Sequence, residues 1–112
     1  MSKIEDLTLT GKSGTKYTFQ MYPWETEFRA LGGVYIITKR TATRGGGTHS
    51  LIYIGHTGNL AERFNNHHKA DCWERHGANC IGILLEESET KRLEIEADLL
   101  AAYDWPCNEV GQ

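Results

Sequence analysis

The sequence predicts an α+β fold: a small central, mainly antiparallel three-stranded sheet flanked by helices, with an added amino-terminal β-hairpin. Two observations give that class. Short apolar runs at Gly32 to Ile37, Leu51 to Ile54 and Asn79 to Leu85 have the length and the β-branched or aromatic content of strands. Helix-start residues, Asn59 and Ser88, then follow the second and third runs. The resulting order is hairpin, strand, strand, helix, strand, helix.

At 112 residues the chain has the size of one small domain, with 39% hydrophobic and 24% charged residues, as soluble globular proteins have. No apolar run approaches the roughly 20 residues of a membrane span. The start, MSKIEDLTLT, lacks the basic and apolar regions of a signal peptide. A cytoplasmic protein with no membrane partner is expected. Three cysteines, Cys72, Cys80 and Cys107, form no CxxC pair and are expected to stay reduced. The net charge of -3 argues against a general electrostatic nucleic-acid binder, so any phosphate contact must be local, although twelve Lys and Arg residues can still form a patch.

Taken in order, residues 7–21 alternate apolar with polar on both sides of Gly11-Lys12-Ser13-Gly14, which is a hairpin signature. Trp24 and Phe28 supply packing aromatics in the connector. The run through Tyr35 is a central strand whose end turns basic at Lys39 and Arg40. TATRGGGTHS, residues 41–50, reads as a flexible glycine-rich loop. It either simply joins two adjacent strands or offers Lys39, Arg40 and Arg44 to phosphates. Past the strand Leu51 to Ile54, Asn59 caps a helix with Glu62 at the capping-box position. Leu60, Phe64 and His67 fall at i, i+4 and i+7 along it, with Arg63 one turn before His67. A strand end and a helix start thus gather a tyrosine, two histidines and an arginine where backbone amides favour anions.

The last helix runs from the Ser88 cap to about Tyr103, and Pro106 ends it. At about 100° per residue, Glu96 falls within the arc of Ile95, Leu99, Tyr103, Leu100, Leu93 and Ala97. A carboxylate there requires compensation. Arg92, four residues earlier, is one candidate; a hard cation such as Mg²⁺, which prefers carboxylate oxygen, is the other. The cysteines and histidines lack the ligand spacing of a zinc site.

This pattern resembles the GIY-YIG nucleases. Gly33-Val34-Tyr35 matches the first signature and Tyr53-Ile54-Gly55 the second. Arg63, His67, Glu96, Tyr103, Pro106 and Asn108 follow in the family's order, and the resemblance covers roughly Gly32 to Val110. It divides the chain into residues 1–31, a hairpin and connector packed on the domain, and residues 32–112, the catalytic domain. TATRGGGTHS resembles an insertion, and His56 stands where many members have lysine.

The resemblance implies an endonuclease that hydrolyses DNA phosphodiesters with one Mg²⁺ or Mn²⁺ held by Glu96. Arg63 would stabilise charge on the phosphate, and Tyr53 and His67 would position oxygens or waters. Asn108 would orient Glu96 or a backbone segment. Tyr35 or His56 would be the general base; a phenol ordinarily titrates near 10 and must be tuned, whereas an imidazole needs less. Lys39, Arg40, Arg44 and Lys69 would bind the duplex, branched or single-stranded substrate. The alternative is an inactive module of the same fold that binds nucleic acid or protein, which the acidic balance favours. A protein partner or a homo-oligomer stays open.

Overall fold

Alternation in the first thirty residues points Leu9, Phe19 and Met21 into the interior and leaves Thr8 and Thr18 outside, hydroxyl to hydroxyl at 2.9 Å. The computed structural model describes residues 3–64 and 67–108. Its strands are β1 (Glu5–Thr10), β2 (Lys16–Pro23), β3 (Gly33–Thr43), β4 (Gly46–Thr57) and β5 (Cys80–Leu85). The helices are α1 (Leu60–Arg63), α2 (Ala70–Arg75) and α3 (Glu89–Ala102), followed by a 3-10 turn at Pro106–Asn108. Val110, where the family pattern was expected to end, lies outside the described residues.

The three-stranded sheet with an added hairpin is corrected to one antiparallel sheet of five strands, ordered β1-β2-β5-β3-β4. Gln20 to Pro23 pair with Cys80 to Ile83, so the hairpin continues the sheet and leaves no free edge on β5. Residues 41–50 are also not a loose loop. They lengthen β3 and β4 into a hairpin in which Thr43 faces Gly46, leaving Arg44 and Gly45 at the tip. β-branched Thr41 and Thr48 pair within it.

Two layers of side chains cover the sheet. On one face Tyr35, Ile37, Tyr53, Ile81 and Ile83 pack with Leu60 of α1 and with Cys72 and Trp73 of α2. The other face joins Leu9, Phe19, Met21, Val34, Ile36 and Ile54 to Leu99 and to Trp105 beyond α3. The hairpin is lashed to α3 by Asp98, which accepts hydrogen bonds from Ser13 N, Ser13 Oγ and Tyr17 Oη, and by Tyr103 Oη, which accepts from Thr10 N. Trp105 Nε1 donates to the Leu99 carbonyl and so satisfies one orphan acceptor near the end of α3.

Three further expectations change. The first helix ends at Arg63 with Phe64 as C-cap, and His67 lies outside any helix; Asn65 and Asn66 are poor helix formers. On α3, Leu93 and Leu100 are exposed, so the buried stripe is narrower than the apolar arc. Cys72 and Cys107 are not reduced but joined in a disulfide, with Cα atoms 5.9 Å apart, while Cys80 is free and buried. Docking of the 3-10 turn against α2 brings together cysteines 35 residues apart in sequence. Among the described residues, no helix is long and apolar enough to cross a membrane.

The sheet curls enough for Glu5 on β1 to reach the β3–β4 hairpin, where it accepts from Arg40 Nε at 2.9 Å and lies 2.6 Å from His49 Nε2. The Arg40 hydrogen bond, then that of His49, holds the Glu5 carboxyl down to about 2 from an ordinary 4.5. A depressed carboxyl contributes stability above its unfolded value and loses it as pH falls toward the folded one. Urea denaturation should therefore show stability falling from about pH 4.5 toward about pH 2, with a shallower fall in Glu5→Gln. Removing the disulfide with Cys72→Ala/Cys107→Ala should lower the unfolding free energy by roughly 3–4 kcal/mol, read by the same method.

Candidate active site

The register of β3 against β4 sets the first half of the site. Tyr35 faces Gly55 and Ile37 faces Tyr53, which puts both tyrosines on the face covered by α1 and α2. Their rings are tilted at 33° with centroids 6.1 Å apart. A Cβ on Gly55 would stand 2.5 Å from Tyr35 Oη and 3.0 Å from Tyr53 Cε2, so only glycine leaves room for the phenol at this level.

Two donors converge on Tyr35. α1, capped by the Asn59 side chain accepting from Ala61 N, delivers Arg63, whose Nε donates to Tyr35 Oη at 3.0 Å. His67 Nε2 lies 3.0 Å from the same oxygen. Its other nitrogen, Nδ1, accepts from Lys69 N at 3.0 Å. Burial, helped by the charges of Arg63, His68 and Lys69, holds the His67 imidazole down to about 4 and hence neutral near pH 7. A neutral ring that accepts at Nδ1 carries its proton on Nε2, so His67 donates to Tyr35. Trp73 and His68 pack on the ring at centroid distances of 4.3 and 4.5 Å. Burial pushes the Tyr35 phenol up, and the Arg63 hydrogen bond opposes that shift.

Glu96 forms the second half. It is half-buried on the inner stripe of α3, and burial raises its carboxyl while nearby His56 and Arg63 pull it back. Arg92 does not pair with it. Its Nη1 donates instead to the carbonyls of Glu86 and Glu87, at 2.9 and 2.8 Å, holding the loop before α3. Among the described residues no hydrogen bond or ion pair reaches the Glu96 carboxylate. A half-buried oxygen donor with no direct partner suits a hard divalent cation that brings its own waters.

The remaining predicted residues divide. His56 pairs with Val34, which turns it to the α3 face, toward Glu96 and away from Tyr35; its Nδ1 is buried without a partner. Asn108 does not orient Glu96 directly. Its Oδ1 accepts from Ile54 N and its Nδ2 donates to Ile54 O, both at 2.9 Å, so the amide acts as one more strand against the edge of β4, between Tyr53 and Gly55. Arg40 is engaged by Glu5 and by the Gly46 carbonyl. Lys39 is exposed beside Gly77, Arg44 is exposed at the hairpin tip, and Lys69 lies between His67 and α2. Sequence reasoning missed Gly55 as the space-maker and Trp73 as the floor under His67; the glycine opposite a strand tyrosine was the available signal for the first.

A family model described as the GIY-YIG catalytic domain matches residues 31–97. The chain belongs to the GIY-YIG nuclease family. No curated protein and no solved structure matches it. The matched segment contains Tyr35, Tyr53, Arg63, His67 and Glu96, and it ends before the Asn108 clamp.

In this GIY-YIG domain, Gly55→Ala forces a methyl against the tyrosine pair, and overpacking of this kind costs about 1–3 kcal/mol. Gly58→Ala is the control, because a Cβ there meets nothing closer than Arg92 Nη2 at 3.8 Å. Urea denaturation should find Gly55→Ala destabilised and Gly58→Ala within about 0.5 kcal/mol of wild type.

Proposed function

We propose that this chain is a metal-dependent endonuclease that hydrolyses DNA phosphodiester bonds. The observation that supports it is the convergence of Arg63 and His67 on Tyr35 within reach of the charge on an unpaired Glu96. Glu96 would hold Mg²⁺ or Mn²⁺. Such a cation, when bound, would supply positive charge that offsets the negative charge developing on the phosphate.

Tyr35 is the general base in this reading. Its oxygen receives two N–H donors, which oppose the rise that burial imposes on the phenol; the charge of a cation at Glu96 would have to complete the shift, and the phenolate would keep a further lone pair for the proton of an attacking water. The water oxygen bonds to phosphorus, its proton passes to Tyr35, and the P–O bond to the leaving sugar oxygen breaks. Arg63 holds Tyr35 through Nε and presents its remaining guanidinium donors to the phosphate, whose charge grows in the transition state. His67 fixes the phenol, and Tyr53 lines the same wall. His56, turned toward Glu96, orients that carboxylate or its waters. Asn108 fixes the backbone between Tyr53 and Gly55. Lys39, Arg44 and Lys69 extend the phosphate-binding surface, while Arg40 serves mainly the Glu5 ion pair.

A plasmid-nicking assay with Mg²⁺ or Mn²⁺, repeated on branched and single-stranded DNA, tests the reading. Wild type should cleave and Glu96→Ala should not. Tyr35→Phe should lose about 10²–10⁴-fold in rate, and Arg63→Ala about 10²–10³-fold, with both variants still folded by circular dichroism. Full activity in Tyr35→Phe with loss in His56→Ala would transfer the base to His56. Inert wild type that still binds DNA would leave a binding module of the same fold.

A further inference from the structure

The cysteines that close the disulfide do not stand alone. Cys72 and His76 are one helical turn apart at α2 and its C-cap, and Cys107 faces them from the 3-10 turn. The two sulfurs and a His76 ring nitrogen all lie within 4.8 Å of one another, the one such histidine, cysteine or carboxylate grouping among the described residues. We propose that, once the disulfide is reduced, Cys72, His76 and Cys107 form a three-ligand site for a thiophilic divalent cation, Zn²⁺ in particular, separate from the hard-cation site at Glu96.

The chemistry and the spacing agree. Tetrahedral zinc with Zn–S near 2.3 Å and Zn–N near 2.0 Å keeps its donor atoms roughly 3.5–3.8 Å apart. Sulfurs released from a covalent bond separate toward that distance, and the imidazole, within 4.8 Å of both, needs to close by at most roughly 1.3 Å. Both sulfurs are buried, whereas His76 is exposed and Cys72 also lines an open cavity beside His68 and Asp71, so a cation has a route in. Thiolate and imidazole select Zn²⁺ over Mg²⁺, and water completes the fourth position. The exchange balances. A dithiol gives the disulfide two electrons and two protons and itself closes to a disulfide; Zn²⁺ then displaces both thiol protons to solvent.

Either cross-link fastens Cys107 to α2, and Asn108, the next residue, is the clamp on Ile54. The cation therefore replaces the disulfide as the staple that keeps the clamp seated in a reducing environment.

The full chain, reduced with excess water-soluble phosphine, is titrated with Co²⁺ as a spectroscopic stand-in for Zn²⁺. A stoichiometric thiolate-to-cobalt charge-transfer band, displaced by Zn²⁺ and unchanged in Cys80→Ser, is expected. His76→Ala, at an exposed position, should weaken Co²⁺ binding at least tenfold, and Zn²⁺ should raise the Tm of the reduced wild type but not of the oxidised protein. A missing band in the folded reduced protein overturns the site. A band that survives oxidation, depends on Cys80, or is indifferent to His76→Ala overturns it equally.

Discussion

One oxygen organises the face of this fold under α1 and α2: the Tyr35 hydroxyl, receiving an N–H from Arg63 and another from His67 at 3.0 Å each. Neither donor is near Tyr35 in sequence. For them to meet, β3 and β4 must pair in the register that sets Tyr35 over Gly55, and α1 must start at Asn59. The segment ahead of α2 must also turn His67 back onto Trp73. A slip of one residue between the strands would carry Tyr35 to the α3 face and break all of this. The lowered imidazole belongs to the same arrangement, because a neutral His67 can accept from Lys69 N and donate to the phenol together.

Around that oxygen the chain uses its polar groups to fix backbone. Asn108 grips Ile54 by both its amide and its carbonyl, Arg92 holds the carbonyls of residues 86 and 87, and Asp98 draws the β1–β2 turn onto α3. These attachments explain why Arg92 makes no ion pair with Glu96. The cation nearest to it in sequence is committed to carbonyl oxygens, so the burial that raises the carboxyl is opposed by the charges of His56 and Arg63 rather than by a direct partner.

The two faces of the sheet divide the chemistry. Tyr35, Tyr53, Arg63 and His67 are grouped on the face under α1 and α2, while His56 and Glu96 approach from the α3 side. β4 supplies both sets within four residues, Tyr53 to His56, because successive strand residues point to opposite faces. The alternation separates a phenol-centred cluster from a carboxylate-centred one, and Gly55, on the phenol side, leaves the room that the Tyr35 hydroxyl occupies.

What the sequence determined by itself was local. Strand runs at Val34 to Ile37 and Leu51 to Ile54, the Asn59 and Ser88 caps and the out-of-place Glu96 were all readable, because periodicity and capping act over a few residues. Tertiary structure decided what depended on distant partners. The amino-terminal hairpin joined the sheet because β5 offered it an open edge, and TATRGGGTHS became paired strand because each half satisfied the other's backbone groups. Cys72 met Cys107 only when the 3-10 turn docked on α2, and Arg92 left Glu96 for two loop carbonyls that no spacing on its helix could announce. Such pairings depend on which surfaces the folded chain brings into contact, and that is a property of the whole core rather than of any segment.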